Sequence, residues 1–107
     1  MRDRNLKYTT LDLLVIALCR DYERRKRLIR ERGISYRTET EFIYLNYKVL
    51  NAARDIAGIR DAEIFIHEIG NKTGYLNTRL SYYSESVYKK YKRAIIENIA
   101  RALHLCD

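Results

Sequence analysis

The sequence predicts an all-α fold, about five helices in one compact domain that ends in a helix-turn-helix. Three observations carry this. There is no proline and there are only four glycines in 107 residues, whereas an all-β chain needs turn residues roughly every 8 to 12 positions. Apolar residues recur at spacings of three and four along most of the chain, the period of a helix face. The last third carries a short apolar-faced segment, a brief turn and a long basic amphipathic segment, in that order. A chain of 107 residues can bury one modest core, so a single domain over 1–107 is expected, divided into an N-terminal helical pair (9–58) and a helix-turn-helix region (59–107).

The elements follow in order. Thr9 or Thr10 is placed to cap a first helix through Leu11, Leu14, Val15, Leu18 and Tyr22 to Arg32, with Gly33 as the left-handed residue that stops it. Its front half, Leu11 to Cys19, is apolar nearly all round, and its back half is basic. The segment 33–37 reads as a hinge. Thr38 followed by Glu41 has capping-box spacing and predicts the start of a second helix. Its stripe of Phe42, Leu45, Val49, Ala52, Ala53 and Ile56 runs to Gly58. Ile59, Ala62, Phe65, Ile66 and Ile69 predict a third helix closed by Gly70. A fourth is expected from Lys72 to Leu80, with Tyr75, Leu76 and Leu80 inward, then the turn Ser81-Tyr82-Tyr83. Ser84 caps the last helix, with Tyr83 and Tyr88 spaced as a hydrophobic staple and Val87, Tyr91, Ala94, Ile95, Asn98, Ile99 and Ala102 on one face.

Lys and Arg total 21 against 14 acidic residues, a formal charge of +7. Such a balance favours an anionic partner, nucleic acid first among them. No apolar run approaches the length of a membrane span, and Met1-Arg2-Asp3-Arg4 opens no signal peptide, so a cytoplasmic protein is expected, without a membrane partner. Cys19 and Cys106 lack metal or redox spacing and read as free thiols. No cofactor and no metal are implied. Nor is an enzyme: no nucleophile with its base, paired carboxylates or phosphate-cradling glycine loop is visible. His67, four residues after Glu63, and His104, near a helix end, are ordinary surface positions for histidine.

The order of segments from Asn71 to Leu105 matches what a helix-turn-helix reader needs: one helix to brace on the phosphate backbone and a second whose first turns enter the major groove. Leu80-Ser81-Tyr82-Tyr83-Ser84-Glu85-Ser86-Val87 looks like the turn and cap of sigma-factor-type units, with Ser81 where a turn glycine is usual. The run from Tyr83 to Leu103 resembles the C-terminal end of phage late-gene transcription regulators of the ArpU and RinA kind. That resemblance implies duplex DNA binding in a bacterial host cell. It places Ser84, Glu85, Ser86, Lys89, Lys90 and Arg93 on the exposed turns of a recognition helix, and gives Asn71, Lys72, Thr73 and Arg79 a phosphate-positioning role. The plainer reading of the same residues is a solvated basic face over an ordinary core stripe.

A second basic surface is expected on the back half of the first helix, at Arg24, Arg25, Lys26, Arg27 and Arg30. Between Arg20 and Arg32 seven basic residues stand against three acidic ones. Such a surface suits phosphate, an acidic protein such as RNA polymerase, or plain solvation at a helix terminus. Of the ten tyrosines, most fall on or beside apolar stripes, and Tyr82, Tyr83 and Tyr88 flank the turn, so pinning is expected ahead of base stacking. The wide apolar girdle at Leu13, Leu14, Val15, Ile16, Leu18 and Cys19 suggests a homodimer. The alternative to a DNA-binding regulator is a non-enzymatic helical interaction module, or a phage-encoded inhibitor, with a basic docking surface.

Overall fold

The computed structural model describes residues 8–105, which leaves Cys106 outside the described residues. Regular structure among them is helical throughout: α1 spans Thr10–Arg20, α2 Tyr22–Glu31, α3 Tyr36–Gly70 and α4 Glu85–Ala102, with a 3-10 turn at Tyr75–Asn77. The all-α class is therefore correct, while the partition into helices differs from expectation in three places. α3 is the spine, since α1, α2 and α4 all pack on it and α1 also meets α4. One continuous core results, built on Val15, Ile16, Val49, Ala53, Phe65, Ile69, Tyr88, Ile95 and Ile99.

α1 begins as a full capping box. The Asp12 N–H donates to Thr9 Oγ1 (3.0 Å) and the Thr9 N–H to the Asp12 carboxylate (3.2 Å), so two otherwise orphaned donors are satisfied. The expected single helix to Arg32 is instead broken at Asp21, whose φ of −88° and ψ of 0° turn the chain. The Arg25 guanidinium occupies the broken end, donating to the Leu18 carbonyl (2.7 Å), which an unbroken helix would offer to the Tyr22 N–H. α2 ends with Arg32 in the left-handed region (φ 59°), so the stop falls on Arg32 and not on Gly33. The apolar girdle on α1 also divides. Val15, Ile16 and Cys19 are buried, whereas Leu13 and Leu14 remain 46% and 51% exposed.

α3 starts three residues earlier than Thr38 and Glu41 suggest. Ser35 is the extended N-cap, and its hydroxyl oxygen accepts from the Thr38 N–H. Gly58 then interrupts the helix with φ 84° and ψ 168°, a conformation that costs a residue with a Cβ far more than glycine. The axis changes there, which turns Ile59 outward to 76% exposure although it fits the stripe by spacing. The largest departure is the fourth helix: Lys72 to Leu80 forms only the short 3-10 turn, and Leu76, expected inward, is 94% exposed.

Gly70 has a different job from the helix stop its position suggests. It is the last residue of α3 and lies against the α1 backbone, where an added Cβ would stand 2.7 Å from both N and Cα of Arg20. Arg20 reinforces the approach by donating from Nε to the Gly70 carbonyl (3.3 Å). Gly70→Ala is therefore expected to destabilise the fold by about 1–3 kcal/mol in urea unfolding, the usual cost of overpacking. Gly74→Ala, with open space around the position, should change it by a few tenths on the same scale.

Candidate nucleic-acid interface

The N-terminus of α4 is set by Ser84, whose hydroxyl oxygen accepts from the Val87 N–H at 3.3 Å. With that start fixed, Glu85, Ser86, Lys89 and Lys90 are exposed on the first two turns. Glu85 pairs with Lys89 at 2.9 Å, and Ser84 lies 3.4 Å from Ser86, hydroxyl to hydroxyl. The structure thus brings Ser84, Glu85, Ser86, Lys89 and Lys90 onto one exposed surface. Arg93 is otherwise engaged: its two terminal nitrogens reach the Asp12 carboxylate at 2.9 and 3.4 Å, tying α4 to the start of α1. The Arg93 side chain remains 45% exposed while it holds that carboxylate.

The four positioning residues sit in an irregular connection, residues 71–84, and not on a bracing helix. α3 ends in a Schellman arrangement: the Thr73 N–H donates to the Glu68 carbonyl and the Lys72 N–H to that of Ile69, with Lys72 left-handed at φ 56°. This closes α3 and prevents a new helix from starting at Lys72. Asn71 Nδ2 stands 3.0 Å from His67 Nε2, the Thr73 carbonyl accepts from Lys92 Nζ (2.6 Å), and the Arg79 N–H donates to Glu68 (2.9 Å). Asn71, Lys72 and Arg79 are exposed and Thr73 is half-buried.

Two buried carboxylates, neither anticipated from the sequence, hold this connection in place. Glu68, 2% exposed, accepts from the hydroxyls of Tyr88 (2.6 Å) and Thr78 (2.5 Å) besides the Arg79 N–H. Asp61, also 2% exposed, accepts from the hydroxyls of Tyr82 and Tyr83, each at 2.6 Å. The Tyr75 hydroxyl donates to the Tyr83 carbonyl (2.6 Å), and Phe65 lies at 5.8 and 5.7 Å between ring centroids from Tyr83 and Tyr88. These tyrosines pin the connection, as expected, and they do it through carboxylates. The signal was present: Asp61, Phe65 and Glu68 share one helical face at spacings of four and three, so two acids lie on an apolar stripe.

Burial acts to raise the Asp61 carboxyl, but the hydrogen bonds from Tyr82, Tyr83 and Arg60 outweigh it and hold the group below the ordinary aspartate range. The Tyr83 hydroxyl is correspondingly pushed up to about 12 by burial and by its bond to Asp61. Burial also raises the Tyr88 hydroxyl, with Glu68 adding to it.

The second basic surface is largely compensated. Arg25 is buried, donating from Nε to Asn46 Oδ1 at 2.6 Å, and so is removed from that surface altogether. Arg24 pairs with Asp21 (3.0 Å), Arg27 with Glu31 (3.7 Å) and Lys26 with Glu63 (2.9 Å); Arg30 is exposed.

Two outcomes are expected. Tyr88→Phe should cost about 1–3 kcal/mol in chemical unfolding, because a buried carboxylate loses a donor. A carboxylate whose acidity is strengthened by folding contributes stability above its unfolded pKa, and that contribution is lost as pH falls through the folded one. Thermal stability should therefore fall as the pH drops below about 4, and Asp61→Asn should flatten that dependence. An unchanged slope would remove Asp61 from the account.

No family model matches the chain, and no curated protein or solved structure matches it either.

Proposed function

We propose that the protein binds duplex DNA as a small transcription regulator of phage type, with the exposed first turns of α4 as the reading surface. In this reading the second half of α3, the tyrosine-pinned connection and α4 act together as an enlarged helix-turn-helix, the pinned connection replacing the bracing helix. The observation that carries the proposal is the exposed basic start of α4, Lys89 and Lys90 on a helix whose opposite face is locked into the core through Tyr88, Ile95 and Ile99. A formal charge of +7 adds sequence-independent attraction to a phosphate backbone. No helix among the described residues is long and apolar enough to cross a membrane.

The test is fluorescence anisotropy with a random duplex, the matching single strand and a pool of promoter fragments across a salt titration. Duplex binding is expected to weaken steeply with salt. Lys89→Ala with Lys90→Ala should flatten the slope by up to about two units. Failure to bind any DNA at low salt would overturn the proposal.

A second reading, a helical interaction module that docks on protein, is favoured by one specific observation. Leu14, Ala17 and Leu18 of α1 face Tyr44 and Leu45 of α3 and Leu103 across an open groove of about 500 Å³. Apolar surface of this kind suits a protein contact, such as a homodimer or RNA polymerase. For the homodimer, sedimentation should show self-association that Leu14→Glu abolishes. A strictly monomeric profile at high concentration would exclude it.

A further inference from the structure

We infer that the outer face of the first half of α3, residues 36–57, is where a second copy of this chain docks, the two helices lying antiparallel across a two-fold axis beside Asn46. This rests on the homodimer reading, gives it a face and an orientation, and needs nothing from the DNA-binding one. At 3.6 residues per turn, Tyr36, Thr40, Ile43, Tyr44 and Tyr47 share one stripe, on the side of the helix away from the buried Val49 and Ala53. Tyr36, Ile43, Tyr44 and Tyr47 are between 48% and 84% exposed. A lone exposed apolar side chain is ordinary, whereas four in register along one helix make a patch that suits a partner. Tyrosine adds to the fit, because its ring gives contact area while its hydroxyl stays at a wet rim.

Charge selects the partner. Residues 36–57 carry six ionised side chains, Arg37, Glu39, Glu41, Lys48, Arg54 and Asp55. Three are of each sign, so this segment exerts no net pull on a phosphate backbone although the chain as a whole is at +7. Arg37, Glu41, Lys48 and Asp55 run down one margin of the stripe with alternating sign, and Glu39 and Arg54 lie on the other margin. Two antiparallel helices related by a two-fold axis bring each margin against the same margin of the partner, reversed. With the axis level with Asn46, Arg37 stands level with Asp55 of the second copy. Glu39 then lies roughly 1.5 Å along the axis from the level of Arg54, and Glu41 roughly 4.5 Å from that of Lys48, at about 1.5 Å of rise per residue. All six thus meet an opposite charge within reach of their side chains. A parallel pair sets one margin against the other, which leaves Glu41 and Lys48 with no opposite charge to meet.

The contacts these groups make within one chain are open to water. Arg37 stands 3.9 Å from Glu41, with side chains 91% and 64% exposed, Arg54 is 3.5 Å from Asn51 Oδ1, and the Lys48 ammonium is 5.5 Å from the centroid of the Tyr44 ring. Exposed contacts of this kind are weak and can be exchanged for contacts across an interface. Arg101 of α4 lines a hollow together with Tyr47, Lys48 and Asp55; it adds one cation to that margin, and its guanidinium donates to Asn98 (3.0 Å).

The experiment is sedimentation velocity on Arg37→Asp, on Asp55→Arg and on an equimolar mixture of the two, with circular dichroism to confirm that each variant folds; both positions are exposed. The unaltered chain is expected to self-associate with a Kd in roughly the micromolar range. Each single variant sets like charges against each other twice across the axis and should weaken association roughly tenfold. Mixing the two variants restores both opposite-charge pairs, so a heterodimer should form with about the affinity of the unaltered chain. Weakened association in the single variants without rescue in the mixture would overturn the antiparallel pairing. Single variants that associate as well as the unaltered chain would overturn this face, and the homodimer reading would then stand or fall with Leu14→Glu. A strictly monomeric unaltered chain would overturn both.

Discussion

The burial of Glu68 and Asp61 is the constraint on which the C-terminal half of the molecule depends. An ionised carboxylate taken out of water is costly unless hydrogen bonds replace its hydration. Here the replacements come from the connection itself: two tyrosine hydroxyls on Asp61, and a tyrosine hydroxyl, a threonine hydroxyl and a backbone N–H on Glu68. The acids therefore dictate where residues 78–88 must lie. Because Tyr88 is both a donor to Glu68 and a core residue of α4, the same bonds fix how α4 meets α3. A connection without regular structure is thereby as determined in position as a helix would be.

The N-terminal half uses a cation in the same way. Arg25 enters the space between α1, α2 and α3, where it takes the Leu18 carbonyl and Asn46 Oδ1, while Asn46 Nδ2 donates to the Tyr22 carbonyl. Removing α2 from α3 would strip the Asn46 amide of both these bonds and the guanidinium of its bond to Asn46, so the short α2 is coupled to the spine more strongly than its few apolar residues imply. The Arg93 and Asp12 pair performs a lesser version of this between α1 and α4, at a site open enough to water for screening to weaken it.

Much of the fold was legible because periodicity reports burial directly. Thr9 as a cap, the stripe through Val49, Ala53, Phe65 and Ile69, the interruption at Gly58 and the amphipathic α4 from Ser84 all follow from spacing and end chemistry. What was missed depends on contacts distant in sequence. Asp21 looks like any residue of a charged helix until Arg25 turns inward. The segment from Lys72 to Leu80 has helical spacing, but Glu68 offers its backbone and side chain better partners in another shape. For the candidate interface, Lys89 and Lys90 could be placed on the exposed face from the sequence, whereas the commitments of Arg93 and Arg25 required their partners, Asp12 and Asn46.

The helix ends carry a further consequence. Arg32, Lys72 and His104 all occupy the left-handed backbone region, where glycine is the low-energy choice and another residue stores strain. Each stands at the negative end of a helix dipole, and Arg32 and Lys72 place a cation there. A chain tuned for robustness alone would carry glycine at all three places. Lys72 is the informative case, because glycine there would relieve the backbone yet remove the ammonium that stands 5.7 Å from the centroid of the Tyr8 ring. Stability and surface charge then trade against each other at one residue, and variants obtained by screening for thermal resistance alone would drift toward a sturdier protein with a less positive surface.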